Sequence, residues 1–266
     1  MKTVRDVMRI EFPVVAKDET LEHAVRVMDK YDLDRVVVVK QGRIVGIMTK
    51  KDIMMKLATL RTRNVTPGRL HVSSFMTPNP FTITPEKSLK EAASIMLEHG
   101  FGSLPVVKGH SLEGLLTRWE IASEARGLQV KVVDVMFTIP ESLRTTHKLI
   151  HARQLFLKYD VMFMPVLDEN NRLVGYITID EIADAFLAFH DIVPVRFRKE
   201  RIEKLLVDDV LRPRAPIVNV NDNLGAVIDK IKERKSKGAV VVHKDRVVGI
   251  VTLKELVKAY VLYSRD

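Results

Sequence analysis

A five-residue pattern, apolar-Gly-apolar-apolar-Thr, occurs four times in this 266-residue chain, and it constrains the fold more than any other feature. The copies are Val45-Gly46-Ile47-Met48-Thr49, Glu113-Gly114-Leu115-Leu116-Thr117, Val174-Gly175-Tyr176-Ile177-Thr178 and Val248-Gly249-Ile250-Val251-Thr252, with Glu113 the one departure at the first place. Each Thr is followed three residues later by an acid: Asp52, Glu120, Glu181 or Glu255. A second signature opens each copy, as Val4-Arg5-Asp6-Val7-Met8, Val72-Ser73-Ser74-Phe75-Met76, Val132-Val133-Asp134-Val135-Met136 and Val207-Asp208-Asp209-Val210-Leu211. Two signatures kept in one order four times over mean one supersecondary unit in four tandem copies. Their unequal spacing assigns the length variation to linkers.

The interior of each copy reads alike. A short extended piece such as Phe81-Thr82-Ile83 precedes a helix with apolar residues at helical spacing. In copy one these are Leu21, Ala24, Val25 and Met28, in the i, i+3, i+4, i+7 pattern of one buried face. Ser88 with Glu91 has the form of a capping box at the start of the copy-two helix. Continuous apolar runs at 36–39, 104–107, 163–167 and 239–242 predict strands buried on both faces. Each leads through a turn into the Gly-containing strand and a last helix starting at the Thr. The unit is βαββα, the class α+β, and the expected spans are 1–60, 72–125, 132–189 and 207–266. A repeat of roughly 55 residues buries too little apolar surface to be secure alone. The copies are therefore expected to pair into two tandem modules, with linkers at 61–70, 126–131 and 190–206.

Composition narrows the function. With no cysteine, the chain has no disulfide, thiolate zinc site or cysteine nucleophile. No apolar run approaches the roughly 18 residues of a membrane span, and the charged N-terminus (Arg5, Asp6, Arg9, Glu11) is unlike a signal peptide. A cytoplasmic protein without membrane association is expected. Lys and Arg number 43 against 34 Asp and Glu, a net charge of +9, which suits phosphate-bearing ligands or simply a solvated surface. Neither a P-loop nor a nucleophile elbow is present. His147 and His151 stand i, i+4 without an evident third ligand, so no metal site is expected. Nothing forms a catalytic constellation, and the chain is read as no enzyme.

The opening V-x-D-V-M, the segment Leu104-Pro105-Val106-Val107 and the G-I-x-T-x-x-D run at 46–52 together resemble the CBS domain, named for cystathionine β-synthase. The resemblance covers nearly the whole chain, and its four-domain layout is similar to the gamma subunit of the AMP-activated protein kinase and to archaeal proteins of that layout. It implies sheet-to-sheet pairing and clefts holding adenosine-containing regulatory ligands (AMP, ADP, ATP or an S-adenosyl compound such as S-adenosylmethionine). It also implies a regulated partner protein of unstated identity, and a disc of two modules within one chain or across a homodimer.

The same resemblance implies site residues. Its Thr-x-x-Asp segment contacts ribose, which singles out Thr49 and Asp52. In the other copies Thr-x-x-Glu is equally a capping box, so Thr117/Glu120, Thr178/Glu181 and Thr252/Glu255 carry both readings, with capping foremost for the glutamates. Thr82 is the candidate base contact. Arg35, Lys50, Lys51, Arg118 and Lys254 are candidate phosphate partners or ordinary exposed cations. Gly102, like Gly100 and Gly238, suits either close ligand approach or a turn. Trp119 reads as packing or cleft wall, and Asp180, one place early, is expected to point elsewhere. Two other functions stay open: nucleic-acid binding through the basic linkers 61–69 and 196–204, where Phe197 is the only interleaved aromatic, and a ligand-free scaffold.

Overall fold

The structure, a computed structural model, describes residues 2–57 and 70–265; the linker expected at 61–70 lies outside them except for Leu70. Repeat 1 opens with a 3-10 turn at Val4–Asp6, followed by β1 (Val14–Ala16), α1 (Leu21–Lys30), β2 (Arg35–Lys40), β3 (Arg43–Thr49) and α2 (Lys50–Leu57). Repeat 2 has α3 (Val72–Phe75), β4 (Thr77–Pro78), α4 (Leu89–Glu98), β5 (Ser103–Lys108), β6 (Ser111–Thr117) and α5 (Arg118–Glu124). Repeat 3 has β7 (Leu143–Arg144), α6 (Leu149–Lys158), β8 (Phe163–Leu167), β9 (Leu173–Thr178) and α7 (Ile179–Ile192). An added helix, α8 (Val195–Arg201), leads into repeat 4, with β10 (Arg212–Pro213), β11 (Ile217–Asn219), α9 (Leu224–Arg234), β12 (Gly238–His243), β13 (Arg246–Thr252) and α10 (Leu253–Tyr263).

The local chemistry follows the pattern. Leu21, Ala24 and Met28 form the buried face of α1, whose N-terminus is capped by Thr20 accepting the His23 N–H at 3.2 Å. The Ser88 half of the expected capping box forms, with Ser88 accepting the Glu91 N–H at 3.1 Å. The Glu91 carboxylate turns instead to Lys87 at 2.8 Å. The first four residues of β2, β5 and β12 are buried without alternation, as is all of β8. Two expectations change. Residues 81–83 pair with β5 through a single bridge, Ile83 to Val106, because Phe81 and Thr82 stay exposed. The stretch 190–206 is not a bare linker, since α7 extends into it as far as Ile192 and α8 follows.

The opening signatures do not stay with their own repeats. β4 of repeat 2 is an edge of the repeat 1 sheet, in the order β1-β2-β3-β4, and β10 of repeat 4 is an edge of the repeat 3 sheet. The reverse crossings are shorter: Arg9 pairs with Leu115 and Phe137 with Ile250. Each crossing lays the opening Met or Leu over the signature glycine of the partner repeat. A Cβ on Gly46 would meet Met76 Sδ at 2.5 Å, and one on Gly175 would meet the Arg212 carbonyl oxygen at 2.5 Å and Leu211 Cδ1 at 2.7 Å. Met8 stands over Gly114 and Met136 over Gly249 in the same way. The two sequence signatures are thus the two halves of one contact, made reciprocally within repeats 1 and 2 and within repeats 3 and 4.

The modules then meet through helices. α2 packs on α7, while α10 packs on α5 and α4. One hydrophobic core therefore runs through repeats 1 and 3 and the crossing openings of repeats 2 and 4, around Met54, Phe75, Phe156 and Phe186. The other runs through repeats 2 and 4, around Met96, Ile121, Ile231 and Tyr260. Arg153 of α6 fastens the first junction by donating to the Met54 and Met55 carbonyls, at 3.0 and 2.8 Å, in the last turn of α2.

Because the atom facing Gly175 is backbone, Gly175→Ala must displace the exchanged strand. Chemical denaturation should show a loss of about 1–3 kcal/mol. Gly127→Ala, where an added Cβ meets nothing within 4 Å, should stay within about 0.5 kcal/mol of the parent.

Candidate functional site

Where the four repeats converge lies a cavity of about 1070 Å³, to which every repeat contributes. The first residues of α2, α5 and α10 line it, so three helix N-termini open on it, their first backbone N–H groups donating to the Asp34, Gly102 and Lys237 carbonyls. Nine Lys and Arg side chains and six Asp side chains face it. The cavity thus carries a modest basic surplus of its own.

The central charges come from equivalent places in different repeats. Asp34 of repeat 1 and Lys237 of repeat 4 both stand one or two residues before their first core strand, and they form a tight ion pair across the modules. Asp34 Oδ1 also accepts from Arg35 Nε at 2.7 Å, and Lys237 reaches Asp180 of repeat 3 at 3.1 Å. Burial works to raise the Asp34 pKa. The charges and hydrogen bonds of Arg35 and Lys237 outweigh it and hold the carboxyl far below the usual carboxylate range. Asp180 is pushed up, mainly by burial. Asp160 receives Lys51 of repeat 1 at 2.9 Å and Lys254 of repeat 4 at 2.7 Å. Lys50 is held between Asp184 at 3.0 Å and Asp29 at 3.3 Å.

Arg118 is the exception. It is the first residue of α5, only 8% exposed, and its Nε and Nη2 have no hydrogen-bond partner among the described residues. Its pKa is lowered first by burial and then by the charge of Arg35. Arg35, also 8% exposed, leaves Nη1 without a partner among the described residues and lies across Gly102. A Cβ there would come 2.8 Å from Nη1. Two buried guanidiniums beside one another, one of them wholly unpaired at two nitrogens, present a strong unmet demand for an anion.

The cavity gathers Arg35, Thr49, Lys50, Asp52, Gly102, Thr117, Arg118 and Thr252. Thr82 and Thr178 are not among its walls: Thr82 is exposed, with Ile83 taking the inward position, and Thr178 is buried as the cap of α7. All four acids after the threonines act as caps. Glu120, Glu181 and Glu255 accept the N–H and hydroxyl of their own threonines, and Asp52 does the same with Thr49 at 2.8 and 2.7 Å. Burial is the main reason that the Asp52 pKa is raised. Trp119 forms part of the wall, as do Phe81 and Phe101, which stack with His99 at the rim. Asp180, expected to point elsewhere, faces the cavity. Asp34, Lys237 and Asp160 were not singled out from sequence. The available signal was the unlike residues Asp34, Gly102, Met162 and Lys237 at one repeat position.

The basic stretch 196–204 is partly spent on structure. Arg198 is buried and donates to the Val193 carbonyl at 2.9 Å, and Phe197 sits between Arg196 and Arg201. Among the described residues no helix is long and apolar enough to cross a membrane.

The family model of the CBS domain matches residues 4–59, 72–127, 132–188 and 207–262. The chain belongs to the CBS-domain family. It is 34% identical over 116 residues to the CBS domain-containing protein YhcV of Bacillus subtilis, a match covering 42% of this chain and 82% of YhcV. It is 29% identical over 119 residues to an inosine-5'-monophosphate dehydrogenase of Korarchaeum cryptofilum, covering 45% of this chain but only 25% of that enzyme. Among solved structures, protein MJ1225 of Methanocaldococcus jannaschii, likened to g-AMPK, superposes with a TM-score of 0.83 at 18% identity, over 97% of this chain and all of that one. At that identity the likeness is one of fold.

The Asp34 cluster sets a pH dependence. Asp34→Asn leaves Lys237 and Arg35 short of a buried counter-charge and should cost about 3–5 kcal/mol at pH 7 by denaturant unfolding. With the folded pKa depressed, the stabilisation is fully present above the unfolded value near 3.8 and is lost as pH falls through the lower folded value. The gap between the two proteins should hold at neutral pH and begin to close below about pH 4.

Proposed function

We propose that this chain is a non-catalytic regulatory protein that binds an adenine nucleotide in its central cavity and passes the signal to a partner protein through the packing of its two modules. The observation that carries this reading is Arg118, nine-tenths buried, without a partner at Nε and Nη2 among the described residues, and beside a second buried guanidinium. An unpaired buried charge destabilises a fold, and an anionic ligand removes that penalty. A phosphate bound there also lies at the start of α5, where the positive end of the helix dipole favours an anion, although the Arg118 and Trp119 N–H groups are spent on the Gly102 carbonyl and the Thr117 hydroxyl. Asp52 supplies an acceptor for ribose hydroxyls on the same cavity wall. The excess of cations favours phosphates over the sulfonium of S-adenosylmethionine. Since all four repeats touch the cavity, a ligand there bears on both modules, and it shifts their arrangement to the extent that it favours one over another.

Nucleic-acid binding gains less support, because Arg198 is committed to backbone carbonyls. A ligand-free scaffold leaves the buried Arg118 charge without a purpose.

Thermal unfolding of stripped protein with AMP, ADP, ATP and S-adenosylmethionine tests the proposal. At 100 times the dissociation constant a nucleotide should stabilise the parent by about 2.7 kcal/mol. Asp52→Ala should lose most of that response. Arg118→Met should be more stable than the parent without ligand, by about 1 kcal/mol or more, and should not respond to nucleotide. No response of the parent to any of the four compounds would leave the scaffold reading.

A further inference from the structure

The four acids that follow the threonines are not equivalent, and the exchanged openings make the difference. The residue after the opening Met or Leu pairs each time with the residue after a signature glycine: Arg9 with Leu115, Thr77 with Ile47, Phe137 with Ile250 and Arg212 with Tyr176. At this one register position, repeats 1 and 4 send an arginine into the partner repeat, and repeats 2 and 3 do not.

The arginines meet the acids. Arg9 Nε lies 2.6 Å from Glu120 Oε1, while Glu120 Oε2 accepts the Thr117 N–H at 2.8 Å and the Thr117 hydroxyl. Both carboxylate oxygens are committed. Arg212 stacks on Tyr176 with its guanidinium carbon 5.3 Å from the ring centre, and its Nη1 lies 3.8 Å from Glu181 Oε1. Glu181 Oε2 is taken by the N–H and hydroxyl of Thr178, at 2.7 and 2.6 Å. Asp52 differs. Its Oδ2 caps Thr49, no arginine stands opposite, and Oδ1 accepts no hydrogen bond among the described residues. Asp52 and Thr77 both line the cavity, and Glu120, Glu181 and Glu255 do not. Glu255 has Phe137 at the crossing position.

We infer that Arg9 and Arg212 are internal cations set against Glu120 and Glu181 that close those positions to a ribose and, with Glu255 outside the cavity, leave Asp52 as the one of the four acids that accepts the diol of an adenosine ligand, so that each chain binds a single such ligand. This inference rests on the adenosine reading above. A carboxylate recognises a ribose diol through its free lone pairs; Arg9 uses those of Glu120 by a hydrogen bond, and Arg212, which donates to the Arg234 and Lys235 carbonyls, holds a cation at ion-pair distance from Glu181. The specificity thus lies outside the threonine segments, on strands supplied by the neighbouring repeat.

The test is calorimetric titration of the intact chain with AMP, and separately with ADP, for the parent, Thr77→Arg, Thr77→Met and Arg9→Met. The parent should bind one nucleotide per chain. Thr77→Arg, which copies the arginine of repeats 1 and 4 to the place opposite Asp52, should weaken binding at least tenfold. Thr77→Met, of similar length and uncharged, should stay within threefold. Arg9→Met should keep the first site and gain a second, weaker one. A parent that binds two or more nucleotides per chain, or a Thr77→Arg protein that binds as the parent does, would overturn this inference while leaving the adenosine reading in place. A parent that binds neither nucleotide would overturn both.

Discussion

The structure depends on one backbone contact made four times: an opening segment crosses to the neighbouring repeat and settles on a glycine that has no Cβ to hold it away. At Gly175 the Arg212 carbonyl oxygen would lie 2.5 Å from an added methyl carbon, so even alanine cannot occupy the position without moving a strand. The crossing ties two small units, each with too little core to stand alone, into a module whose halves are reciprocal. It also orients the sheets so that the last helices of the two modules face one another, α2 on α7 and α10 on α5.

That geometry brings helix starts to the centre, and the centre is where the repeats have diverged. Equivalent positions hold Asp34 and Lys237 in one place, and Lys50 and Arg118 in another. Most of these charges are neutralised across module boundaries, as by Asp160 between Lys51 and Lys254. The junction between modules is therefore held partly by apolar helix packing and partly by a charge network that surrounds the cavity. Arg118 stands outside the pairing. An anion bound to it becomes a further member of the network, which is a physical route by which occupancy can bias module packing.

Much of this was legible in the sequence. The fourfold repeat, the apolar spacing of α1 and the unbroken apolar runs of β2 and β8 state the unit directly, and Thr-x-x-acid announces the caps. Arg35, Lys50 and Arg118 were legible as phosphate candidates because they flank the core strand or begin a helix. The crossing was not legible. A repeat in sequence places Met8 with its own unit, and nothing local says that it packs on Gly114 rather than Gly46. For the same reason the roles of Arg9 and Arg212 were hidden, since each meets its acid only through a neighbour's sheet. Thr82 stands outside the cavity walls, exposed, with Ile83 taking the buried place. Asp34 and Lys237 escaped notice because opposite charges at equivalent turn positions gain meaning only once two modules are brought together.

The most direct measurement is a crystal structure of the chain with ADP. The account predicts one nucleotide in the central cavity, with a phosphate oxygen within hydrogen-bond distance of Arg118 Nε or Nη2 and the ribose hydroxyls on Asp52. A nucleotide bound elsewhere, such as the smaller outer cleft of Lys131 and Asp222, with Arg118 still unpaired, would contradict it.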